Sequence, residues 1–98
     1  MASRIEYSDR AKRNLDLIKQ YITQDNPRAA FRTAERIARS ISRLAEFPEL
    51  GPIWRESDSR ALVIPGLPYR AHYQVVGEVV EILTIVHTSR RFPSLDQH

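Results

Sequence analysis

The sequence predicts a small α+β domain, in which a helical hairpin packs on one face of a mainly antiparallel sheet. Three observations support this prediction. A short alternating segment opens the chain, two stretches with apolar residues at helical spacing follow, and the second half contains three β-rich stretches. The expected order is therefore one N-terminal strand, two antiparallel helices and a three-stranded antiparallel sheet.

The first two elements are a strand and an amphipathic helix. Ile5 and Tyr7 alternate with polar neighbours, which is typical of a half-buried strand. Ser8 or Asp9 can cap the helix that follows, which we expect to span residues 9–23. Its apolar stripe consists of residues at three- and four-residue spacing, namely Ala11, Leu15, Ile18 and Ile22.

A second helix begins after Asn26, because Asp25 or Asn26 can cap it and Pro27 is tolerated at the first helical position. The face expected to point inward comprises Ala30, Phe31, Ala34, Ile37, Ala38, Ile41, Leu44 and Ala45. The opposite arc holds a basic ridge of five arginines, namely Arg28, Arg32, Arg36, Arg39 and Arg43. This ridge is either a solvated helix face or a docking surface for an acidic partner or a phosphate backbone.

The second half of the chain is predicted to be β structure. Two prolines and a glycine in residues 47–52 end the second helix, and a loop continues to Ser59. Strands are expected at residues 61–64, 69–76 and 79–87, separated by turns at residues 65–68 and 77–78. The last segment is almost continuously apolar, so it should be the central strand.

Length and composition limit the possible functions. We expect the 98 residues to form one domain over residues 1–98, with a frayed tail at residues 94–98. There are no cysteines, which excludes disulfides, thiolate zinc sites and cysteine nucleophiles and suits a reducing cytoplasm. No apolar run is long enough to cross a bilayer, so a soluble protein without membrane contact is expected. The net charge of +3 favours an anionic partner.

Cofactors and metals are not expected. The glycines at positions 51, 66 and 77 are scattered and none opens a helix, so there is no phosphate-binding loop for a nucleotide cofactor. His72, His87 and His98 share no metal-ligand spacing with a carboxylate.

Several basic residues of the strand region are candidates for a functional site. His87, at the end of the last strand, is either a proton carrier or a histidine that packs locally. Four arginines could converge on one side of the sheet and bind phosphate or a charged transition state, or could be ordinary surface residues: Arg60, Arg70, Arg90 and Arg91. Trp54, in the loop, either closes the core or contacts a partner.

Four segments together resemble the RelE/ParE toxins. They are YITQDNPRAAF at residues 21–31, RLAEFPELG at 43–51, RALVIPGLPYRAHYQV at 60–75 and EILTIVHTSRRFP at 81–93. The resemblance covers nearly the whole chain. It implies the same α+β fold and the toxin role in a type II toxin–antitoxin system. It also implies a cognate antitoxin, such as a ParD-like protein, whose C-terminal segment wraps the toxin.

The branches of this family differ in their targets. ParE-like members, known from plasmid stabilization, poison DNA gyrase, whereas RelE-like members cut messenger RNA on the ribosome. The segments DNPRAA and VIPGLPYRAHY and the spacing of His87 and Arg90 are more similar to the ParE-like branch. The resemblance therefore implies a non-enzymatic gyrase inhibitor, with a metal-independent, ribosome-dependent endoribonuclease as the alternative.

The resemblance also implies roles for individual residues. Where an RNA-cleaving member supplies a C-terminal His or Tyr, this chain has Arg91, Phe92 and Pro93. If the protein cuts RNA, the catalytic candidates are Arg70, His87 and Arg90, with His87 in place of the missing base. For target binding we expect Arg60, Arg70, Arg90 and Arg91, and for antitoxin binding Arg28, Arg32, Arg36 and Trp54.

Overall fold

The computed structural model describes residues 4–55 and 57–88, and these contain the α+β order that the sequence predicts. The elements are β1 (Arg4–Tyr7), α1 (Asp9–Thr23), α2 (Pro27–Ser42), a 3₁₀ turn (Arg43–Ala45), β2 (Arg60–Val63), β3 (Tyr69–Val76) and β4 (Val79–His87). The expected bounds of α1, β3 and β4 are confirmed. β2 lies one residue earlier than expected, and the tail at residues 94–98 lies outside the described residues.

Both helices begin at the residues that the sequence suggests. The Ser8 hydroxyl accepts a hydrogen bond from the Ala11 amide at 3.0 Å, so Ser8 is the N-cap of α1. The Asn26 side chain accepts one from the Ala29 amide at 3.1 Å, and Pro27 occupies the first turn of α2. These acceptors satisfy backbone N–H groups that have no partner within the helix.

The four strands form one sheet in the order β1-β4-β3-β2. β2, β3 and β4 pair antiparallel, as expected, whereas β1 pairs parallel with β4 at the sheet edge. The prediction that residues 79–87 form a central strand is confirmed, because β4 has a neighbour on each side. The register of β3 and β4 shifts between His72 and Tyr73, which leaves Leu83 as an additional residue on β4.

The helices cover one face of the sheet and enclose the core. The core cluster includes Ile18, Ile37, Ile41, Leu44, Ile64, Tyr73, Ile82 and Ile85. The expectation that Phe31 and Ala38 point inward is wrong, since both are exposed and Phe31 retains 68% of its accessible surface. The physical reason is that α2 packs mainly on α1, so only a narrow stripe is buried, at Ala30, Ile37 and Ile41.

A buried asparagine joins α1 to the edge of β4. β1 ends at Tyr7, but β4 continues beyond it. The side-chain oxygen of Asn14 accepts hydrogen bonds from the Ile85 amide at 2.9 Å and from the Thr84 hydroxyl at 2.7 Å. Asn14 is 1% exposed, so it provides a partner for a β4 amide that β1 is too short to reach.

The loop before β2 is held against the sheet by two polar side chains. The Tyr73 hydroxyl donates to the Pro48 carbonyl at 2.7 Å and accepts from the Gly51 amide at 2.9 Å. Arg60 donates to the Gly51 carbonyl at 2.9 Å. A Cβ atom at Gly51 would lie 2.7 Å from the Ala61 carbonyl oxygen, so this close approach requires glycine.

Within residues 4–55 and 57–88, no helix is both long enough and apolar enough to cross a membrane.

Candidate anion-binding groove

Side chains alternate along β3, so its core residues point to one side of the sheet and its polar residues to the other. Tyr69, Ala71 and Tyr73 are buried beneath the helices. Arg70 and His72 therefore point to the opposite side of the sheet, which we call the outer face. On β4 their cross-strand partners are Val86 and Thr84.

The outer face contains an open groove with a volume of about 710 Å³. The sheet forms its floor, and the first turn of α1 and the loop before β2 also line it. Its charged and aromatic lining residues are Arg10, Trp54, Arg55, Arg70 and His72. None of the described residues that line the groove is acidic, so these side chains give it a positive charge.

Three of these side chains contact the ring of Trp54. The guanidinium carbon of Arg70 lies 4.6 Å from the centroid of the indole ring, and that of Arg55 lies 4.8 Å from it. The ring of His72 meets the indole edge-on, with centroids 4.9 Å apart and an interplanar angle of 87°. These cation–π and edge contacts hold the two arginines at defined positions.

A hydrogen bond joins the side chains of Arg70 and His72. The Nε of Arg70 donates to the Nε2 of His72 at 2.8 Å. A guanidinium has only donors, so Nε2 of His72 is the acceptor in this hydrogen bond. Arg70 lines the groove, and a guanidinium there can donate hydrogen bonds to an anion.

The backbone at Arg55 is in the left-handed region, with a φ of 49°. Residues other than glycine rarely adopt this conformation, because Cβ crowds the neighbouring carbonyl. Here it belongs to the turn that brings the guanidinium of Arg55 over the ring of the preceding Trp54.

The expected convergence of Arg60 with Arg70 is wrong. Arg60 is paired with Tyr73 in the sheet and so shares its face, and its guanidinium donates to Gly51. Residues 60 and 70 therefore lie on opposite faces, because side chains alternate along each strand. The other two arginines of the expected cluster, Arg90 and Arg91, lie outside the described residues.

His87 does not face the groove either. It is the cross-strand partner of Tyr69, and the two rings meet edge-on with centroids 5.4 Å apart. His87 therefore lies on the helix-facing side, whereas Arg70 lies on the outer face. The expected catalytic combination of Arg70 with His87 is not formed by the described residues.

The residues expected to bind an antitoxin also separate into two places. Arg28, Arg32 and Arg36 are exposed on α2, and Arg36 donates to the Pro65 carbonyl at 2.8 Å. Trp54 is half-buried at the groove, on the side of the sheet away from α2. It neither joins the basic ridge nor belongs to the main core cluster.

Sequence reasoning missed His72, Arg10 and Arg55 as site residues. A signal existed for His72, since Arg70 and His72 are two apart in a predicted strand and must share a face. No comparable signal marks Arg10 or Arg55, because α1 and the loop meet the sheet only in the folded chain.

Solved structures of other proteins share this fold, and two of them are described below. The chain aligns with a structure described as the chromosomal ParDE system from P. aeruginosa, with a TM-score of 0.78, 23% identity and coverage of 91% of this chain and 98% of the other. It also aligns with the intact E. coli RelBE toxin–antitoxin complex, with a TM-score of 0.63, 18% identity and coverage of 92% and 100%. The α+β architecture is therefore shared with these two structures.

Sequence comparison identifies the family. The family model described as the ParE toxin of the type II toxin–antitoxin system parDE matches residues 5–92. The chain therefore belongs to the ParE toxin family of type II toxin–antitoxin systems.

Two relatives match over nearly their full lengths. Y4kP of Sinorhizobium fredii is 39% identical over 92 residues, which cover 94% of this chain and 95% of the relative. Toxin RelE2 of Caulobacter vibrioides is 34% identical over 88 residues, which cover 90% of this chain and 98% of the relative.

Proposed function

We propose that this toxin inhibits DNA gyrase without catalysing a reaction, and that a cognate, ParD-like antitoxin neutralises it in the cytoplasm. The observation that supports a non-enzymatic mode is the placement of Arg70 and His87 on opposite faces of the sheet. A general base must lie within hydrogen-bond reach of the proton that it removes. The match to the ParE family model supports gyrase as the target.

The surface for the target is the outer face. Arg70 is held there by His72 and Trp54, with its charge directed into an open groove. Arg90 and Arg91 follow β4 in the sequence and remain part of the proposed contact. Arg60 does not, because its guanidinium holds the loop at Gly51.

The surface for the antitoxin is on the helical hairpin. Arg28 and Arg32 are exposed on α2 and belong to the basic ridge, which suits an acidic segment. Phe31, exposed beside them, supplies apolar area. The structures of P. aeruginosa ParDE and E. coli RelBE are described as toxin–antitoxin assemblies, which supports a similar partner here.

The experiment is a supercoiling assay with purified gyrase, run beside a translating extract in which messenger RNA is probed for cuts. We expect the toxin to block supercoiling while the messenger stays intact, and the added antitoxin to restore supercoiling. Cuts in the messenger with unaffected gyrase would contradict the proposal.

A ribosome-dependent endoribonuclease is the second candidate, because the groove contains an imidazole hydrogen-bonded to a guanidinium. In metal-independent cleavage, a base removes the proton of the 2′-hydroxyl, and the oxygen attacks the phosphorus to form a 2′,3′-cyclic phosphate. The bond from phosphorus to the 5′-oxygen breaks, and the leaving oxygen takes up a proton from water. His72 would be that base, once a bound phosphate had drawn Arg70 away from Nε2. Under this alternative His72→Ala abolishes cleavage in the translating extract, whereas His87→Ala does not.

A further inference from the structure

The groove brings together arginines from three separate segments. Arg10 comes from the first turn of α1, Arg55 from the loop before β2 and Arg70 from β3. No acidic side chain is among the described lining residues of this groove. The groove is thus a place where positive charge is concentrated.

The surroundings of Trp54 indicate which part of a nucleic acid the groove suits. An exposed indole ring is a common platform for stacking a base. Here the ring already contacts two guanidinium groups and the imidazole of His72. A stacked base would have to compete with these three contacts, so we assign the ring the role of positioning the arginines, whose N–H groups match phosphate oxygens.

The shape of the groove also suits binding of a phosphate backbone. The groove is open to solvent and spans the sheet between α1 and the loop, so a continuous backbone can lie along it. A site that provides positive charge but no ring for base stacking suits a duplex, because the bases of a duplex are paired with each other and its phosphates are outermost.

We infer that this groove binds the phosphodiester backbone of duplex DNA, through Arg10, Arg55 and Arg70. This inference rests on the proposed function, because duplex DNA is the substrate that gyrase holds. The toxin thereby contacts the DNA of the gyrase complex as well as the enzyme.

The test measures binding of purified toxin to a fluorescently labelled duplex oligonucleotide of mixed sequence, without gyrase, by fluorescence anisotropy over a range of salt concentrations. The variants are Arg55→Gln and Arg70→Gln, and the matched control is Arg39→Gln, which removes an arginine charge on α2. Circular dichroism melting of each variant confirms that it is folded.

We expect each groove variant to bind the duplex several-fold more weakly, while Arg39→Gln binds as the unchanged toxin does. Removing one phosphate contact reduces the magnitude of the log–log salt slope by roughly 0.9. Equal affinities and equal slopes for the unchanged toxin and the groove variants would overturn the inference. Tighter binding of single-stranded RNA of the same sequence would also overturn it.

Gyrase binding without DNA separates this inference from the proposed function. An Arg55→Gln variant that captures gyrase normally but inhibits supercoiling poorly would support both, because Arg55, unlike Arg70, is not assigned to the gyrase contact. A second outcome is that the unchanged toxin inhibits gyrase, but the groove variants bind the duplex with the same affinity as the unchanged toxin. In that case only the assignment of the groove fails. If the groove binds duplex and gyrase is unaffected, the proposed function fails and the groove assignment stands.

Discussion

Arg70 donates a hydrogen bond from its Nε to the Nε2 of His72, at 2.8 Å, on the face of the sheet that the helices leave uncovered. Both side chains also contact Trp54, so this loop residue and two residues of β3 form one cluster. The histidine is a positioning residue, since it acts through the guanidinium.

We expect His72→Phe to weaken gyrase inhibition by roughly three- to tenfold, because the ring contact with Trp54 is retained but the acceptor, worth about 1 kcal/mol, is lost. His72→Gln, which restores an acceptor oxygen, should recover most of the inhibition. The measurement is the toxin concentration that halves supercoiling, with the melting temperature as a control for folding. Full activity of His72→Phe would show that inhibition does not depend on the hydrogen bond between Arg70 and His72.

Substitution of Arg60 should affect stability rather than function. Arg60→Gln removes the hydrogen bond to the Gly51 carbonyl, which should cost about 1 to 2 kcal/mol of unfolding free energy. Urea denaturation measures this cost. The supercoiling assay, with equal amounts of folded protein, should show unchanged inhibition. A stable Arg60→Gln variant that does not inhibit gyrase would show that Arg60 is part of the target surface.

His87→Ala should leave both gyrase inhibition and messenger RNA intact, because His87 packs against Tyr69 on the helix-facing side. The loss of this ring contact should lower stability by about 0.5 to 1.5 kcal/mol. A variant that melts normally but no longer inhibits gyrase would contradict this placement.

Asn14→Leu should destabilise the protein by about 2 to 3 kcal/mol, since the Ile85 amide would be left buried without an acceptor. The measurement is the urea unfolding midpoint. Gln20→Ala, at an exposed position of the same helix, is the control and should change stability little. Equal midpoints for the two variants would show that the Asn14 hydrogen bonds contribute nothing.

The stability of the protein should fall above pH 10 because of Tyr73. Burial raises the pKa of its phenol above the ordinary value of 10.0, despite opposing effects of the Gly51 hydrogen bond and Arg60. The unfolded chain therefore loses this proton first, so stability is complete below pH 10 and is lost as the pH rises through the higher native pKa.

The measurement for Tyr73 is the urea midpoint as a function of pH. Tyr73→Phe should have a lower midpoint at neutral pH and a shallower decrease in alkali. Burial also raises the pKa of Tyr7, so part of the decrease should remain in this variant. An identical alkaline slope in the two proteins would contradict the assignment to Tyr73.

Local signals were sufficient for most of the fold. The caps Ser8 and Asn26, together with Pro27, mark the helix starts at the positions observed. The apolarity of residues 79–87 indicated a central strand, and β4 is central. The inward face of α2 was predicted too broadly, because periodicity does not report which neighbour a helix packs against, and Phe31 is exposed.

Only one part of the candidate site was predictable from the sequence, namely a pair of residues that lie in the same strand. The sequence alone determined that Arg70 and His72 share a face, because side chains alternate along a strand. Only the tertiary structure decided that Arg60 and His87 lie on the other face, since that depends on strand register. It alone also brought Arg10 and Trp54 to the same groove, because contacts between distant segments arise from packing, which local sequence patterns do not encode.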